Sequence, residues 1–257
     1  MGLVGDHGVV IVTGAGGHIG SEVCRLLKIA GNKFLPLDVS PGTTQDLVAC
    51  DLTAKDEISR LFDSHPVRAV IHLAAILPSA FQRDPLRGAD VNLSGSLELL
   101  RQAVKTGTKR FVFASSMSIY GSSSTGRPLT ETDSAAPDEP YGASKRAVEL
   151  VGETLAKEKA IEFVSLRIAR VVGPGIIKTS SPWRSDIFDP SPTTALISVP
   201  FAPDAVLSLV HVEDVARMLV TLAQTSEIRS VVYNTPAELW KAQRLKEVVE
   251  EAKGVRV

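Results

Sequence analysis

The sequence predicts an α/β fold with a doubly wound parallel sheet, and three observations support this. Strand-like and helix-like segments alternate along most of the chain, which is typical of parallel sheets covered by helices on both faces. A glycine-rich turn joins the first strand to the first helix. Finally, 44% of the 257 residues are hydrophobic and the net charge is −1, which indicates a globular chain with a full core.

The first strand and the first helix enclose the glycine-rich turn. β-Branched residues over 9–14 predict a buried strand, and apolar residues at helical spacing over 18–30 predict an amphipathic helix. Between them, Gly14, Gly17 and Gly20 follow the spacing G-x-x-G-x-x-G. They suit, in order, a tight turn, the close approach of a pyrophosphate and the packing of helix on strand. This strand–turn–helix unit predicts a dinucleotide site at the helix amino terminus.

The later elements continue the alternation. A second strand at 33–39 contains Asp38, whose carboxylate suits the ribose diol of NAD and repels the 2′-phosphate of NADP. Asp138 is the expected cap of the last long helix in this part of the chain, with Pro140 in its first turn. Further strands are predicted at 46–50, 67–73, 109–115 and 161–169, and further helices at 54–63, 92–106 and 141–159.

Three polar residues predict chemistry on an alcohol. Tyr141 and Lys145 lie one helical turn apart, so their side chains share a helix face. A lysine cation near a phenol lowers the tyrosine pKa, which makes a base for a hydroxyl proton. Ser116 lies at the carboxyl end of a strand, where open α/β sheets place their ligands, and it can bind the same oxygen. Alone, each pattern also fits an ordinary helix face or a serine-rich loop.

Together these segments resemble the short-chain dehydrogenase/reductase superfamily, in its extended branch, the NAD-dependent epimerase/dehydratase family. The segments that match the family's motifs are TGAGGHIG, CDL at 50–52, HLAA at 72–75, VNLSGS, SSMSIYG, YGASK, LRIARVVGPG and HVEDVAR. The resemblance implies a Rossmann fold, NAD as cofactor, and catalysis by Ser116, Tyr141 and Lys145. The cofactor contacts that it implies are Gly14, Gly17, His18, Ile19, Gly20, Asp38, Asp51, Leu52, Leu73, Ala74, Ala75, Asn92, Tyr141 and Lys145.

The resemblance also suggests how the chain divides. Composition changes after residue 173, where a stretch rich in proline and poor in charge begins. We predict that residues 1–173 form an NAD-binding Rossmann domain and that 174–257 form mainly a small substrate-capping region. Part of 207–235 is expected to return to the Rossmann sheet.

The substrate stays open at this point. UDP-sugar epimerases of the family usually carry Asn in the segment where this chain has Arg170. They also carry Arg shortly before the HVEDVAR segment, where this chain has Leu207 and Ser208. Because those family residues hold a diphosphate, the sequence favours an NAD-dependent oxidoreductase of a small sugar acid, polyol or hydroxy acid. The predicted substrate contacts are Ser118, Arg170 and Arg184, since an arginine can clamp a carboxylate, although a surface ion pair explains either arginine equally well.

Two alternatives remain. One is a sugar-nucleotide epimerase/dehydratase similar to UDP-glucose 4-epimerase, which uses the same residues but releases no NADH. The other is a non-catalytic NAD-binding regulator, against which the complete set of Ser116, Tyr141 and Lys145 argues.

Composition also bears on partners and location. The chain has no basic blocks, which argues against nucleic acid, and no apolar run of membrane length. Five scattered histidines predict no metal site. Cys24 and Cys50 are expected to be core residues of a cytoplasmic protein. The resemblance further implies a homodimer through the helices 92–106 and 141–159. Enough apolar surface for both a core face and a second contact comes from Leu97, Leu100, Val104, Val148 and Leu155.

Overall fold

The computed structural model of the chain describes residues 8–40, 47–122, 127–175, 181–190 and 196–257. Its strands are β1 (Val9–Thr13), β2 (Phe34–Asp38), β3 (Val48–Ala49), β4 (Val67–His72), β5 (Arg110–Ser116), β6 (Glu162–Ile168), β7 (Arg170–Val172), β8 (Val206–His211), β9 (Val232–Asn234) and β10 (Glu238–Lys241). Its α-helices are α1 (His18–Ile29), α2 (Lys55–Ser64), α3 (Pro78–Arg83), α4 (Pro85–Ala89), α5 (Ser96–Lys105), α6 (Pro140–Lys157), α7 (Trp183–Asp186), α8 (Val212–Gln224) and α9 (Ala242–Lys253). A π-helical segment, Asp90–Gly95, leads into α5, and a 3₁₀ turn, Met117–Tyr120, follows β5.

The main sheet has seven parallel strands in the order β3-β2-β1-β4-β5-β6-β9. The direction of winding reverses between β1 and β4, where Thr13 lies in register with His72. Such a reversal opens a crevice at the carboxyl ends of the strands. Ser116 at the end of β5 is in register with Ile168 at the end of β6, so both lie at this edge. The predicted doubly wound α/β fold is confirmed.

Helices cover both faces of this sheet because successive strand residues point to opposite sides. In β1, Val10 and Val12 belong to a core cluster shared with α1 and α8. Ile11, between them, belongs to the opposite cluster, which is shared with α2, α5 and α6. Within the described ranges, no helix is both long enough and apolar enough to cross a membrane.

A second, three-stranded sheet has the order β10-β8-β7. In it β7 runs parallel to β8 and β10 runs antiparallel. Its core includes Trp183 of α7, Leu207 of β8 and Leu245 of α9. Residues 170–172 pair in this small sheet, although they precede residue 173, whereas β9 pairs with β6 in the main sheet.

Several predicted boundaries differ from the structure. The expected helix 92–106 is split, because its first turn is π-helical and α5 ends at Lys105. The expected strand 46–50 is reduced to β3, and residue 46 lies outside the described residues. Asp138 does not cap α6, since Glu139 occupies the cap position and Asp138 instead accepts a hydrogen bond from the Ser122 backbone.

Candidate active site

The glycine-rich turn between β1 and α1 leaves no room for larger side chains at two positions. Gly14 has a left-handed backbone with φ of 67°, and a Cβ there would lie 2.8 Å from the backbone nitrogen of Ala74. A Cβ on Gly20 would lie 2.1 Å from the carbonyl oxygen of Gly14. Among the described residues, no side chain caps α1 at Gly17 and no acidic residue lies in its first turn. The first N–H groups of α1 therefore face an uncapped helix end, which suits a phosphate.

Asp38, at the end of β2, lies directly against this turn. Its Oδ2 accepts a hydrogen bond from the Gly16 N–H at 3.0 Å, and its Oδ1 accepts one from the Ser40 N–H at 3.2 Å. The carboxylate therefore stands beside the glycine turn, at the strand end where the ribose of a dinucleotide is bound in such folds.

Asp51 already has protein partners in this structure. Its Oδ1 accepts the Thr53 N–H at 2.9 Å, and its Oδ2 pairs with Arg87 at 2.9 Å. The Thr53 hydrogen bond, followed by Arg87, lowers the pKa of Asp51 despite partial burial. The neighbouring Leu52 is buried against Gly95, so it shapes the wall of the crevice from within the core.

A buried hydrogen-bond chain crosses the carboxyl ends of β1 and β4. The Ser96 hydroxyl donates to the Asn92 carbonyl at 2.7 Å, so it accepts from His72 Nε2 at 2.8 Å. His72 Nδ1 then accepts from the Thr13 hydroxyl at 2.6 Å. Burial, followed by the charge of Lys145, lowers the pKa of His72 to about 3, in agreement with a neutral ring. These hydrogen bonds therefore have one proton arrangement, which fixes the orientation of the Ser96, His72 and Thr13 side chains.

The same hydrogen-bond network holds residues 73–76, which follow β4. Thr13 Oγ1 accepts hydrogen bonds from the backbone N–H groups of Leu73 and Ala74, at 3.2 and 3.1 Å. Asn92 clamps the backbone of Ile76, with its Oδ1 accepting at 2.7 Å and its Nδ2 donating at 2.8 Å. Both polar atoms of the Asn92 side chain are thus engaged in shaping this segment, which has Ala75 at its centre.

The predicted catalytic hydroxyls meet at the end of β5. Ser116 Oγ accepts the Ser118 N–H at 3.1 Å, so its own O–H is free to donate, and it lies close enough to Tyr141 to lower the pKa of that phenol. Ser118, a predicted substrate contact, takes part through this backbone N–H. Burial raises the pKa of Tyr141 to about 12, while the Ser116 hydrogen bond and the charge of Arg184 act in the opposite direction.

Lys145 lies on the same face of α6 but turns into the sheet. Its Nζ donates to the carbonyl of Ala114 at 2.8 Å and lies 5.8 Å from the centroid of the Tyr141 ring. Burial lowers the pKa of Lys145 to about 7, against the opposing effect of Glu149. The expectation that Lys145 lowers the pKa of Tyr141 is therefore wrong for this structure. Both side chains are buried, and desolvation disfavours the charged form of each.

A second buried network lies beneath the catalytic helix and was not predicted. Glu149 accepts hydrogen bonds from Arg167 Nε at 3.1 Å and Nη2 at 3.0 Å. Arg167 also donates to the Tyr120 hydroxyl at 2.7 Å, which in turn donates to Asn234 at 2.9 Å. Burial raises the pKa of Glu149, but the hydrogen bonds from Arg167, Ser115 and Ser165, together with the charge of Arg167, lower it overall. The network ties α6 to β6 and β9. In the sequence, the signal for this network was Glu149, a charged residue one helical turn after Lys145 on the buried face of the helix, because a buried charge needs a partner.

Arg170 lies in β7 of the small sheet, and Arg184 lies on α7 beside the end of that strand. Arg170 begins β7, two residues after Ile168, and its guanidinium carbon lies 4.5 Å from the centroid of the Phe201 ring. The backbone of Arg184 is tied to the end of β7, because its carbonyl accepts the Gly173 N–H at 3.0 Å. Burial lowers the pKa of both guanidinium groups, and the charge of Arg170 lowers that of Arg184 further.

His18 connects the end of β7 to the glycine turn. Both of its ring nitrogens are buried, and neither has a hydrogen-bond partner among the described residues. A Cβ on Gly175 would lie 3.3 Å from its Nδ1, so the turn after β7 passes directly over the ring. Burial, and then the charges of Arg184 and His211, lower the pKa of His18.

Leu207 and Ser208, which precede the HVEDVAR segment, lie in β8 of the small sheet. Leu207 is buried in the core of the small sheet and cannot contact a ligand, and Ser208 pairs with Leu239 of β10. Among the described residues, no group of three His, Cys, Asp or Glu side chains could hold a metal ion.

The residues around the reversal point fit a dinucleotide cofactor. The uncapped amino terminus of α1 suits a pyrophosphate, and Asp38 beside the glycine turn suits a ribose diol. The steric limits at Gly14 and Gly20 show that the turn packs tightly against the backbone of Ala74 and of Gly14. Ser116 and Tyr141 lie at the carboxyl edge of the same sheet, so an alcohol bound by them lies at the edge where the cofactor fits.

Comparison with known proteins agrees with this geometry. The model of the NAD dependent epimerase/dehydratase family matches residues 10–234. UDP-glucose 4-epimerase of Lacticaseibacillus casei is 31% identical over 175 residues, which are 64% of this chain and 52% of that protein. The chain thus spans about half the length of the curated relatives that it matches.

Solved structures extend the likeness over nearly the whole chain. UDP-glucose 4-epimerase of Thermus thermophilus, in complex with NAD, has a TM-score of 0.81 at 28% identity and covers 96% of this chain and 83% of its own. L-threonine dehydrogenase of Phytophthora infestans has a TM-score of 0.87 at 21% identity and covers 96% and 82%, a likeness of fold alone. Because the family match covers most of its residues, this chain belongs to the NAD dependent epimerase/dehydratase family, whose cofactor is NAD.

Proposed function

We propose that the protein is an NAD-dependent sugar-nucleotide epimerase, which oxidises one secondary hydroxyl of its substrate and reduces the same carbon again. The observation that carries this proposal is the pairing of Ser116 with Tyr141 at the sheet edge beside a turn that fits a dinucleotide. Similarity to UDP-glucose 4-epimerases, at 31% and 28% identity, supports the sugar-nucleotide class over the small substrates that the sequence alone favours.

In the proposed reaction, the side chains of this chain handle the proton. NAD supplies a hydride acceptor when it is bound. Tyr141 takes the hydroxyl proton in its ionised form, which Ser116 and the charge of Arg184 favour against the effect of burial. The O–H of Ser116 donates a hydrogen bond to the same substrate oxygen. Lys145 would hold the ribose of the bound NAD through its Nζ, which donates to the Ala114 carbonyl in this structure.

The proposed role of Tyr141 predicts a large loss of activity in Tyr141→Phe. General acid–base groups contribute about 10²–10⁴-fold in rate, so we expect turnover to fall by that factor while NAD binding persists. Tyr233→Phe is the matched control, because it removes a phenol that accepts the Ser230 N–H at 3.0 Å on β9. Near-native turnover in Tyr141→Phe would refute the mechanism.

The proposed role of Asp38 predicts a preference between cofactors. A carboxylate beside the glycine turn repels the 2′-phosphate of NADP, so we expect tighter binding of NAD. Titration of both cofactors by calorimetry measures the preference. Asp38→Asn is expected to reduce it, and equal affinities in the unmodified protein would remove Asp38 from the ribose site.

A second candidate is an NAD-dependent dehydrogenase of a small sugar acid, polyol or hydroxy acid. The burial of Leu207 favours it, because the position before HVEDVAR offers no diphosphate ligand. Incubation with NAD and UDP-glucose, UDP-galactose or a panel of sugar acids separates the two. Interconversion of the UDP-sugars without NADH accumulation supports the epimerase, and stoichiometric NADH supports the dehydrogenase. NAD binding without turnover of any alcohol would favour a regulator.

A further inference from the structure

Arg170 and Arg184 are partly buried cations without a counter-charge. Neither guanidinium makes an ion pair with a carboxylate in the described part of the chain, and Arg184 Nε is buried without any hydrogen-bond partner. Arg170 has an aromatic ring beside it, but Phe201 carries no negative charge. Burying a cation without a partner is costly, and two neighbouring cations also repel each other. A ligand that brings a negative charge removes both costs.

The fully buried arginines of the same chain show the usual solution. Arg110 pairs with Glu162 and donates to the carbonyls of Leu222 and Thr225. Arg167 pairs with Glu149. Each of these two guanidinium groups has acceptors on its neighbours within the protein. The contrast marks Arg170 and Arg184 as groups whose acceptor comes from outside the chain.

The backbone places this pair next to the reacting hydroxyl. Ser116 is in register with Ile168 at the end of β6, and Arg170 follows two residues later, where the chain enters β7 of the small sheet. The carbonyl of Arg184 accepts the Gly173 N–H, and Ser185 Oγ donates to Gly175 O at 2.6 Å, so α7 is fixed to the end of β7. The charge of Arg184 also acts on the Tyr141 phenol. The missing anion therefore belongs close to the carbon that reacts.

We propose that Arg170 and Arg184 bind the carboxylate of an acidic sugar, so that the carbon bearing the reacting hydroxyl lies between the arginine pair and Tyr141. Two planar guanidinium forks match a carboxylate bidentately. In a hexuronic acid the carboxylate is attached to the neighbour of carbon 4, whereas the diphosphate of a sugar nucleotide is separated from carbon 4 by the ring. The proximity to Tyr141 thus favours the carboxylate.

This inference rests on the proposed oxidation at Tyr141 and narrows its substrate class. The same carboxylate occurs in a nucleotide-linked uronic acid and in a free sugar acid, so it is compatible with both candidate functions. The two sources are separated by using one probe of each kind.

The test is calorimetry on the NAD-saturated protein with two matched pairs of probes. One pair is UDP-glucuronate and UDP-glucose, and the other is D-glucuronate and D-glucose. We expect the acid of at least one pair to bind roughly tenfold or more tightly than its neutral partner, since a charge-assisted hydrogen bond is gained. Arg170→Met and Arg184→Met should each abolish that preference and leave the neutral partner's affinity unchanged.

Arg229→Met is the control, because it changes the net charge equally at a side chain that is 86% exposed. Arg184→Lys keeps the charge but loses the fork, and we expect it to retain part of the preference. Equal affinity for acid and neutral partner in both pairs would overturn the proposal without reference to any variant. The proposal would also be overturned if Arg170→Met and Arg184→Met weakened the binding of UDP-glucose and of UDP-glucuronate to the same extent, because the arginines would then contact the phosphates.

The outcomes for the proposed function are distinct. An arginine-dependent preference for the acid without any Tyr141-dependent turnover would contradict the proposed function and support this inference. Turnover of UDP-glucose with no preference for the acid would do the reverse.

Discussion

Arg167 and Arg170 lie three residues apart, the first in β6 of the main sheet and the second in β7 of the small sheet, and their surroundings differ completely. Arg167 is 3% exposed and donates two hydrogen bonds to Glu149, which is itself fully buried. Arg170 is half-buried beside Phe201, with Arg184 as its charged neighbour. The first arginine is bound by the protein and therefore belongs to the fold. The second is left without an anion and therefore indicates a ligand.

The comparison predicts its largest effect at Arg167. Removing one partner of a buried ion pair leaves an uncompensated charge and costs about 3–5 kcal/mol. We therefore expect Arg167→Met to lower the free energy of unfolding in urea by that amount, and Glu149→Gln to restore part of it in the double variant. Arg170→Met is the matched change at the unpaired site, where we expect a loss no larger than about 0.5 kcal/mol, or a gain, because an uncompensated cation is removed. Equal losses at the two sites would show that Arg170 has a structural partner after all.

Lys145 stands between these two cases, because its ammonium group is buried with one carbonyl acceptor. Its pKa is about 7 in the folded protein, whereas an unfolded lysine titrates near 10.4. Between these values the unfolded chain binds more protons, so the contribution of Lys145 to stability rises with pH. It becomes constant below about pH 7, where both states are protonated.

This sign can be measured with Lys145→Met as the reference. From pH 7 to pH 10, we expect the unmodified protein to gain stability relative to the variant, with a slope of at most about 1.4 kcal/mol per pH unit. Denaturant unfolding of both proteins at several pH values gives the difference. A difference that does not change over this range would mean that Lys145 stays charged when folded.

Local spacing explains which parts of the site the sequence could predict. Gly14, Gly17 and Gly20 lie within one turn, and Tyr141 and Lys145 lie four residues apart, so their relation needs no tertiary information. Spacing shows that two side chains share a face but not that the face is buried. For this reason the direction of the Tyr141 pKa shift was predicted wrongly, while its position beside Ser116 was anticipated.

Long-range pairing explains what the sequence could not predict. The partners Glu149 and Arg167 are separated by 18 residues and meet only when α6 packs on β6. The small sheet joins β7, β8 and β10 across a stretch whose prolines give no strand periodicity. The side chains of Arg170 and Arg184 are brought together by that sheet and by α7, so their missing counter-charge becomes visible only in the structure.

The same reasoning applies to unpaired apolar surface on α6. Its inner face holds Glu149, whereas Leu150 and Val151 on its outer face are 50% and 41% exposed. Of the residues expected to supply a dimer contact, Leu100 and Val148 are buried within the monomer and are not available. These two therefore belong to the core face, and a contact with a second copy would use the exposed residues of the helix.

The last prediction is therefore a homodimer that depends on the outer face of α6. An exposed pair of large apolar side chains on a long helix favours a partner of the same kind, because association removes that surface from water. We expect light scattering at micromolar concentration to give a dimer mass, and Leu150→Glu to give a monomer of nearly unchanged stability. Leu239→Glu, at a leucine of β10 that is 64% exposed, should stay dimeric. A monomer mass for the unmodified protein would contradict this prediction, because the apolar surface of α6 would then bind no second copy.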